Sequence, residues 1–449
     1  RPHGGAGDAK RNAAGGAAVS EPALPSLVLL RQQYPHRALA DPVAAAREAL
    51  AAARLEGRLR SGMRVGVGAG SRGIANYAAI VAEACRHLRA LGCQPFIFPC
   101  MGSHGGATAA GQLDVLRSAG ITEAAMGAPI LSEIQPHALG ASGRVGLPVY
   151  MDRHAWEADA FLLINRIKPH TDFSGAIESG ICKMLAMGIG KHRGAQAYHA
   201  HAIQGGRYEE AIREASATVI ATGKCLGGLA LLEDAYHQTA RVEWLAAADL
   251  PGQEETLLAL AKSWQPRIPV AALDLLIVDE IGKEISGAGM DTKVVNRGVH
   301  GEVNAWPTAA IQRIYLRGLS ARTYGNAVGV GMAEGVSRPL AQAIDWAATR
   351  VNSLTASTPR NARLPLVFDS DREAVAALLA TVGLASNADA KIGWIRNTLE
   401  IATLALSENL VSEAREQIAC EAVGEPFALG FDAGGTLASP FATATAAAH

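Results

Sequence analysis

Thirteen histidines are spread along this 449-residue sequence, and those with chemistry in their surroundings fall in a few short segments. His104 stands in MGSHGG, His170 in KPHTDFSG and His199 in QAYHAH, with Lys183 in SGICKML between the last two. An imidazole titrates near neutral pH, so it can pass a proton in either direction or ligate a metal through one nitrogen. The glycines around His104 offer no apolar face to bury it, which favours an accessible loop over a core position. Pro169 gives His170 a rigid approach, and Asp172 is a neighbouring carboxylate that could fix its tautomer. In GKHRGAQAYHAH, His192, His199 and His201 lie close enough in sequence for two of them to meet on one side of a metal. Each segment also has a plainer reading, as an exposed loop histidine or a polar helix that happens to carry imidazoles.

Residues of this kind act only if secondary structure brings them together. From Met63 the run MRVGVGAG reads as a strand and SRGI as a turn, and the spacing of Ile80, Ala84, Leu88 and Leu91 predicts a helix over 75–91 closed by Gly92. The apolar run QPFIFP, the loop MGSHGG and a helix near 109–118 repeat the order strand, loop, helix. A third buried strand, ADAFLLIN at 158–165, runs into RIKPHTDFSG, where Pro169 and Gly175 break regular structure. The loops SRG, GSHGG and KPHTDFSG therefore all follow strands, and open α/β sheets bind ligands where such loops leave the carboxyl ends.

Further on, 209–222 reads as a helix, 227–232 begins a strand that leads to the alternating run TARVEWLA, and WQPRIP within 263–269 reads as a linker. LDLLIVDEI at 273–281 opens a second unit containing IQRIYLRGL, a helix over 339–351, LPLVF and a helix over 371–379. The expected fold is α/β: two α/β domains with mainly parallel sheets and the active-site cleft between them. The divisions are a tail at 1–20, a catalytic and cofactor-binding domain at 21–268, a domain closing the cleft at 269–435, and a tail at 436–449.

Composition narrows the partners. With 49% hydrophobic residues, 18% charged residues and a formal net charge of −1, the chain is globular and lacks the basic surface that nucleic acid requires. Six cysteines without a CxxC pair argue for reduced thiols rather than a zinc ribbon or a thioredoxin-type centre. No apolar run approaches the roughly 18 residues of a membrane helix, and the sequence shows no secretory signal, so the expected setting is cytoplasmic and the expected partner a small molecule. GVGAGSRG lacks the G-x-G-x-x-G spacing and the acidic residue that mark a dinucleotide site, so NAD is not expected.

The order SRG, GSHGG, KPHTDFSG, CKML, YH over roughly residues 60 to 205 resembles the nickel-pincer-nucleotide-dependent lactate racemase family. The resemblance implies a racemase or epimerase of a 2-hydroxy acid, with His104 and His170 as the acid/base pair. It further implies Lys183 as the covalent tether of a nickel-pincer nucleotide, His199 as the nickel ligand, Arg72 as the residue holding the substrate carboxylate, and cofactor-maturation proteins as partners. Direct removal of a proton beside a carboxylate would leave a very unstable carbanion. The family's route instead passes hydride to the organic pincer while a histidine takes the hydroxyl proton, and each enantiomer needs its own histidine. Square-planar nickel with sulfur and carbon donors leaves one place for an imidazole. His192 and His201 stand as reserve ligands, and Lys283, in DEIGKEISGAGMDTK with Glu284, Asp291 and Lys293, as a second substrate contact.

The chain departs from the family at Ala69, Ser71 and Gly73, where an Asp, Thr and Pro surround the arginine, and in the longer SGAIESG run before Lys183. Lactate is therefore not required as the substrate. Two other readings stand beside the first. One is a metal-dependent hydrolase or lyase using His170, His199 and His201 around zinc or manganese, with Asp172 or Glu178 as base. The other is a binding paralogue without turnover.

Overall fold

A computed structural model describes residues 23–70, 73–203 and 207–441. Two large sheets carry the chain, with a small antiparallel pair, His137–Ala141 and Pro148–Met151, beside them among the described residues. The first has five strands in the order Gln94–Pro99, Arg64–Ala69, Ala160–Arg166, Cys225–Glu233, Thr239–Ala246, parallel except for the last pair. Its central strands are apolar on both faces, as a parallel sheet covered by helices on each side demands. Val65, Val67 and Ile164 pack on one side under the helix Tyr77–Ala90, while Phe98, Phe161 and Leu163 face the other. Gly66 and Gly68 leave room for that second face, since a Cβ on Gly68 would lie 2.4 Å from Leu163 and 2.9 Å from Phe98. The glycines of GVGAG are thus packing positions.

The second sheet has eight strands in the order Leu366–Phe368, Gly335–Ser337, Ala310–Leu316, Ala272–Val278, Ile392–Ile395, Thr403–Ser407, Leu27–Gln32, Cys420–Ala422. The first four neighbouring pairs are parallel and the last three antiparallel. Mainly parallel sheets in an α/β fold are what the sequence leads one to expect.

The boundary at residue 21 is corrected by the pairing. Leu27–Gln32, assigned to the first domain, lies between Thr403–Ser407 and Cys420–Ala422 in the second sheet. Its alternate apolar side chains fill the cores on the two faces of that sheet, Val28 and Leu30 on one and Leu27 and Leu29 on the other, all four buried. Likewise Leu437 and Phe441, in the segment read as a tail, are buried, and Phe441 meets the Trp394 ring edge-on. The single helix expected over 339–351 is two, Arg338–Gln342 and Trp346–Thr355. Asp345 caps the second, its carboxylate accepting from the amides of Ala347 and Ala348.

The chain therefore crosses between the sheets twice, once after Gln32 and once before Ala272. The crossings touch: the Tyr34 hydroxyl donates to the Arg267 carbonyl and accepts from the Arg267 amide at 3.5 and 3.4 Å. Among the described residues no helix is long and apolar enough to cross a membrane.

Candidate active site

In the first sheet the strand order reverses about Arg64–Ala69: both neighbours follow it in the sequence, but Gln94–Pro99 is added on one side and Ala160–Arg166 on the other. The crevice at such a switch point is where an open sheet receives a ligand. Here a cavity of about 520 Å³ opens, lined by His104, His170 and Lys183 from the first sheet's loops and by Lys283 and Glu284 from the second sheet's side. Four residues singled out in the sequence thus share one space. Arg72 lies outside the described residues.

His104 ends the loop after Gln94–Pro99. Gly105 must be glycine, with φ +66° and a would-be Cβ only 2.4 Å from the backbone of Gly111. Behind the loop, buried Gln112 donates to the carbonyls of Gly102 (2.8 Å) and His104 (3.4 Å) and accepts from Lys191 Nζ at 3.4 Å. Lys191 is itself fully buried and ion-paired at 2.7 Å with equally buried Asp152. This brace lies wholly within the first-sheet body. Nothing local in the sequence signals it, because Lys191 opens a helix, Lys191–Ile203, whose composition reads as polar.

His170 is held differently. Its amide donates to the carboxylate of Glu178. Glu178 also accepts from the Gly175 amide at 2.9 Å and pairs with Lys262 on the helix Gly252–Trp264. His170 Nδ1 accepts the backbone N–H of Asp172 at 3.0 Å. An amide nitrogen can only donate, so the neutral ring carries its proton on Nε2. The tautomer is set by this amide rather than by the Asp172 carboxylate, which accepts from the Thr171 hydroxyl. Burial, and then the positive charge of Lys183, Lys168, His199 and Lys293, hold His170 well below the ordinary imidazole pKa, so the ring is neutral at pH 7.

Lys183 lies on a short turn, Ile181–Lys183, that runs into a π-helical turn, Met184–Gly188. Asn165 donates to the Gly180 carbonyl and the Cys182 amide donates to Glu254, each at 2.9 Å. A Cβ on Gly180 would fall 2.3 Å from the Glu254 carboxylate, so a side chain there would have to displace it. Burial raises the Glu254 carboxyl to about 7. Burial also lowers Lys183 to about 8, with Asp172 opposing the shift, so a sizeable fraction of the amine is neutral near physiological pH.

His199 projects from the helix Lys191–Ile203, half-buried beside the Tyr198 ring, and is not among the residues lining the cavity. It is close enough for the charge of Lys183 to depress its pKa, a smaller effect than its burial. His192 and His201 share that helix, each with a buried ring nitrogen lacking a partner. Residues two apart on a helix do not face the same way, so His199 and His201 cannot converge on one ion. His192 and His199 share a face but are separated by two turns, roughly 10 Å along the axis. Among the described residues no three His, Cys, Asp or Glu side chains are grouped to hold a metal. The arrangement in which His170, His199 and His201 bind zinc or manganese is therefore not formed.

No protein-family model matches the chain, and no curated protein does. Among solved structures the chain is similar to the lactate racemase apoprotein from Thermoanaerobacterium thermosaccharolyticum. That likeness has 12% identity and a TM-score of 0.45, and it spans 75% of this chain and 93% of that one. At this distance it carries no argument about residues or chemistry, which rest on the cavity itself.

Sequence reasoning missed the supports of the site: Gln112, Lys191 and Asp152 behind His104, and Glu254 and Asn165 around Lys183. Lys293, flagged for its charge, points elsewhere than the cavity. It donates to the Phe173 carbonyl at 3.1 Å and sits over the Trp306 ring.

Proposed function

We propose that this protein is a racemase or epimerase of a 2-hydroxy acid that works with a nickel-pincer nucleotide tethered to Lys183. The observation carrying this reading is that His104, His170 and Lys183, on three separate segments, line one cavity. Lys183 and the cavity fit the group, while His199, the ligand this reading needs, stands on the helix Lys191–Ile203 near Lys183 and outside the lining. A covalent bond through nitrogen needs a neutral amine, and Lys183 is depressed to about 8. The cavity's 520 Å³ is within the range of roughly 300–1,000 Å³ typical of cofactor sites. Lys168 and Lys283 bring positive charge for a nucleotide phosphate or a substrate carboxylate. When bound, the cofactor supplies the centre that takes and returns hydride.

The chain's own residues supply the rest. His104 and His170 exchange a proton with the substrate hydroxyl, one for each hand of the substrate. Arg72 and Lys283 hold the carboxylate, and His199 is the proposed nickel ligand. Closure of the second-sheet body over the cavity excludes water from the transient keto acid. Cytoplasmic maturation proteins are the partners this reading requires.

The test is intact-protein mass spectrometry with nickel quantification, on protein co-expressed with the pincer-cofactor maturation enzymes. Wild type is expected to carry a nucleotide-sized adduct with nickel, and Lys183→Ala to carry neither. Absence of both from wild type overturns the reading.

A further inference from the structure

The two cavity histidines are braced from different bodies. His104 is held by Gln112, Lys191 and Asp152, all on the first-sheet side. The loop of His170 is gripped from across the cleft as well: the Thr292 hydroxyl donates to the Thr171 carbonyl at 2.6 Å and the Lys293 ammonium to the Phe173 carbonyl at 3.1 Å. These carbonyls flank Asp172, the residue whose amide occupies His170 Nδ1.

The gripping residues are themselves fixed. Thr292 is fully buried, and the Asp291 carboxylate caps their turn through the Lys293 amide while the Asp291 amide donates to Thr398 Oγ1, both at 2.8 Å. Lys293 lies against Trp306, a cation on an aromatic face, which leaves its remaining donors aimed at the loop. The same segment lines the cavity at Lys283 to Gly287.

We propose that Thr292 and Lys293 are positioning residues that lock His170 as its Nε2–H tautomer, a hydrogen-bond donor toward the cavity, whenever the second-sheet body is docked. In that state Nδ1 is engaged and Nε2 already bears hydrogen, so His170 can donate a hydrogen bond that polarises an oxygen but can neither accept a proton nor give one up. Acting as a base requires release of the Asp172 amide, and hence of the grip. His104, braced on its own side, is not subject to this control. The consequence for turnover rests on the 2-hydroxy-acid reading; the tautomer and its dependence on the two residues do not.

The experiment reads the tautomer alone, by two-dimensional nitrogen-15 spectra of histidine-labelled protein without cofactor or substrate, with His170 assigned through His170→Gln. Wild type is expected to show a neutral ring with hydrogen on Nε2. Thr292→Val with Lys293→Met should bring the two tautomers into exchange, raise amide exchange across 168–179 roughly tenfold, and leave the 100–112 loop and the His104 signals in place. Thr292→Ser with Lys293→Arg should restore the wild-type pattern. A wild-type ring protonated on Nδ1, a double variant whose ring is unchanged, or a loss spread equally over both loops would each overturn the proposal. None of these outcomes depends on whether a pincer nucleotide is ever bound.

Discussion

Lys183 sits in a place that favours its neutral form, and that has a measurable cost. Its pKa falls to about 8 in the folded chain, and Lys293 falls to about the same value, in both cases chiefly through burial. Below pH 8 the folded state must hold both ammonium groups against that burial. Between pH 8 and the ordinary lysine value the unfolded chain keeps protons the folded chain has shed, so stability rises with pH across this window. The urea midpoint should therefore climb from pH 8 to pH 10 in wild type and climb less in Lys183→Met. At pH 7 the substitution should stabilise the protein by about 1–3 kcal/mol, a figure reduced for the part of the side chain open to the cavity. His104 and His170 stood out in the sequence because glycine and proline mark their loops, and Lys183 through the order of segments that resembles a known family. The His170 tautomer was not, because the group that sets it is a backbone amide, and every residue but proline has one.

Elements place these side chains, and two of their devices can be broken selectively. Lys191 and Asp152 form a fully buried pair, so Lys191→Met or Asp152→Leu alone leaves an uncompensated buried charge and should cost about 3–5 kcal/mol. The double substitution should cost much less than the sum, which a double-mutant cycle in urea would reveal. Equal additive losses would mean that the pair is not coupled. Gly289 closes the cavity-lining segment against Val328: its φ is +88°, and a Cβ would lie 1.7 Å from the Val328 oxygen. Gly289→Ala should cost more than about 2 kcal/mol, whereas Gly287→Ala, with nothing within 4 Å of its Cβ position, should be close to neutral. The buried strands at 64–69, 94–99, 160–166 and 272–278 were legible as apolar runs bounded by turn residues. The helix Gly252–Trp264, which delivers Glu254 and Lys262 to the loop behind the cavity, was passed over because its meaning lies in contacts distant along the chain.

Taken whole, the described residues are built on two large sheets stitched by paired crossings at Tyr34 and Arg267, with the cavity and the Thr292 grip between them. Leu27–Gln32 is an interior strand of the second sheet, so deleting residues 23–32 should unpair Thr403–Ser407 and Cys420–Ala422 together. The expected outcome is loss of the cooperative unfolding transition and aggregation on a sizing column, against a monodisperse wild type. This strand also has a history that begins on the ribosome. LVLLRQ leaves the ribosome before both of its neighbours, which are made some 370 residues afterwards. At roughly 5–20 residues per second that is a delay on the order of 20–70 s. Throughout it, an apolar segment of high β propensity has no edge to join, the state in which nascent chains pair with the wrong partner. Yield in a cell should thus depend less on the finished protein's stability than on what shelters six residues until the last strands arrive.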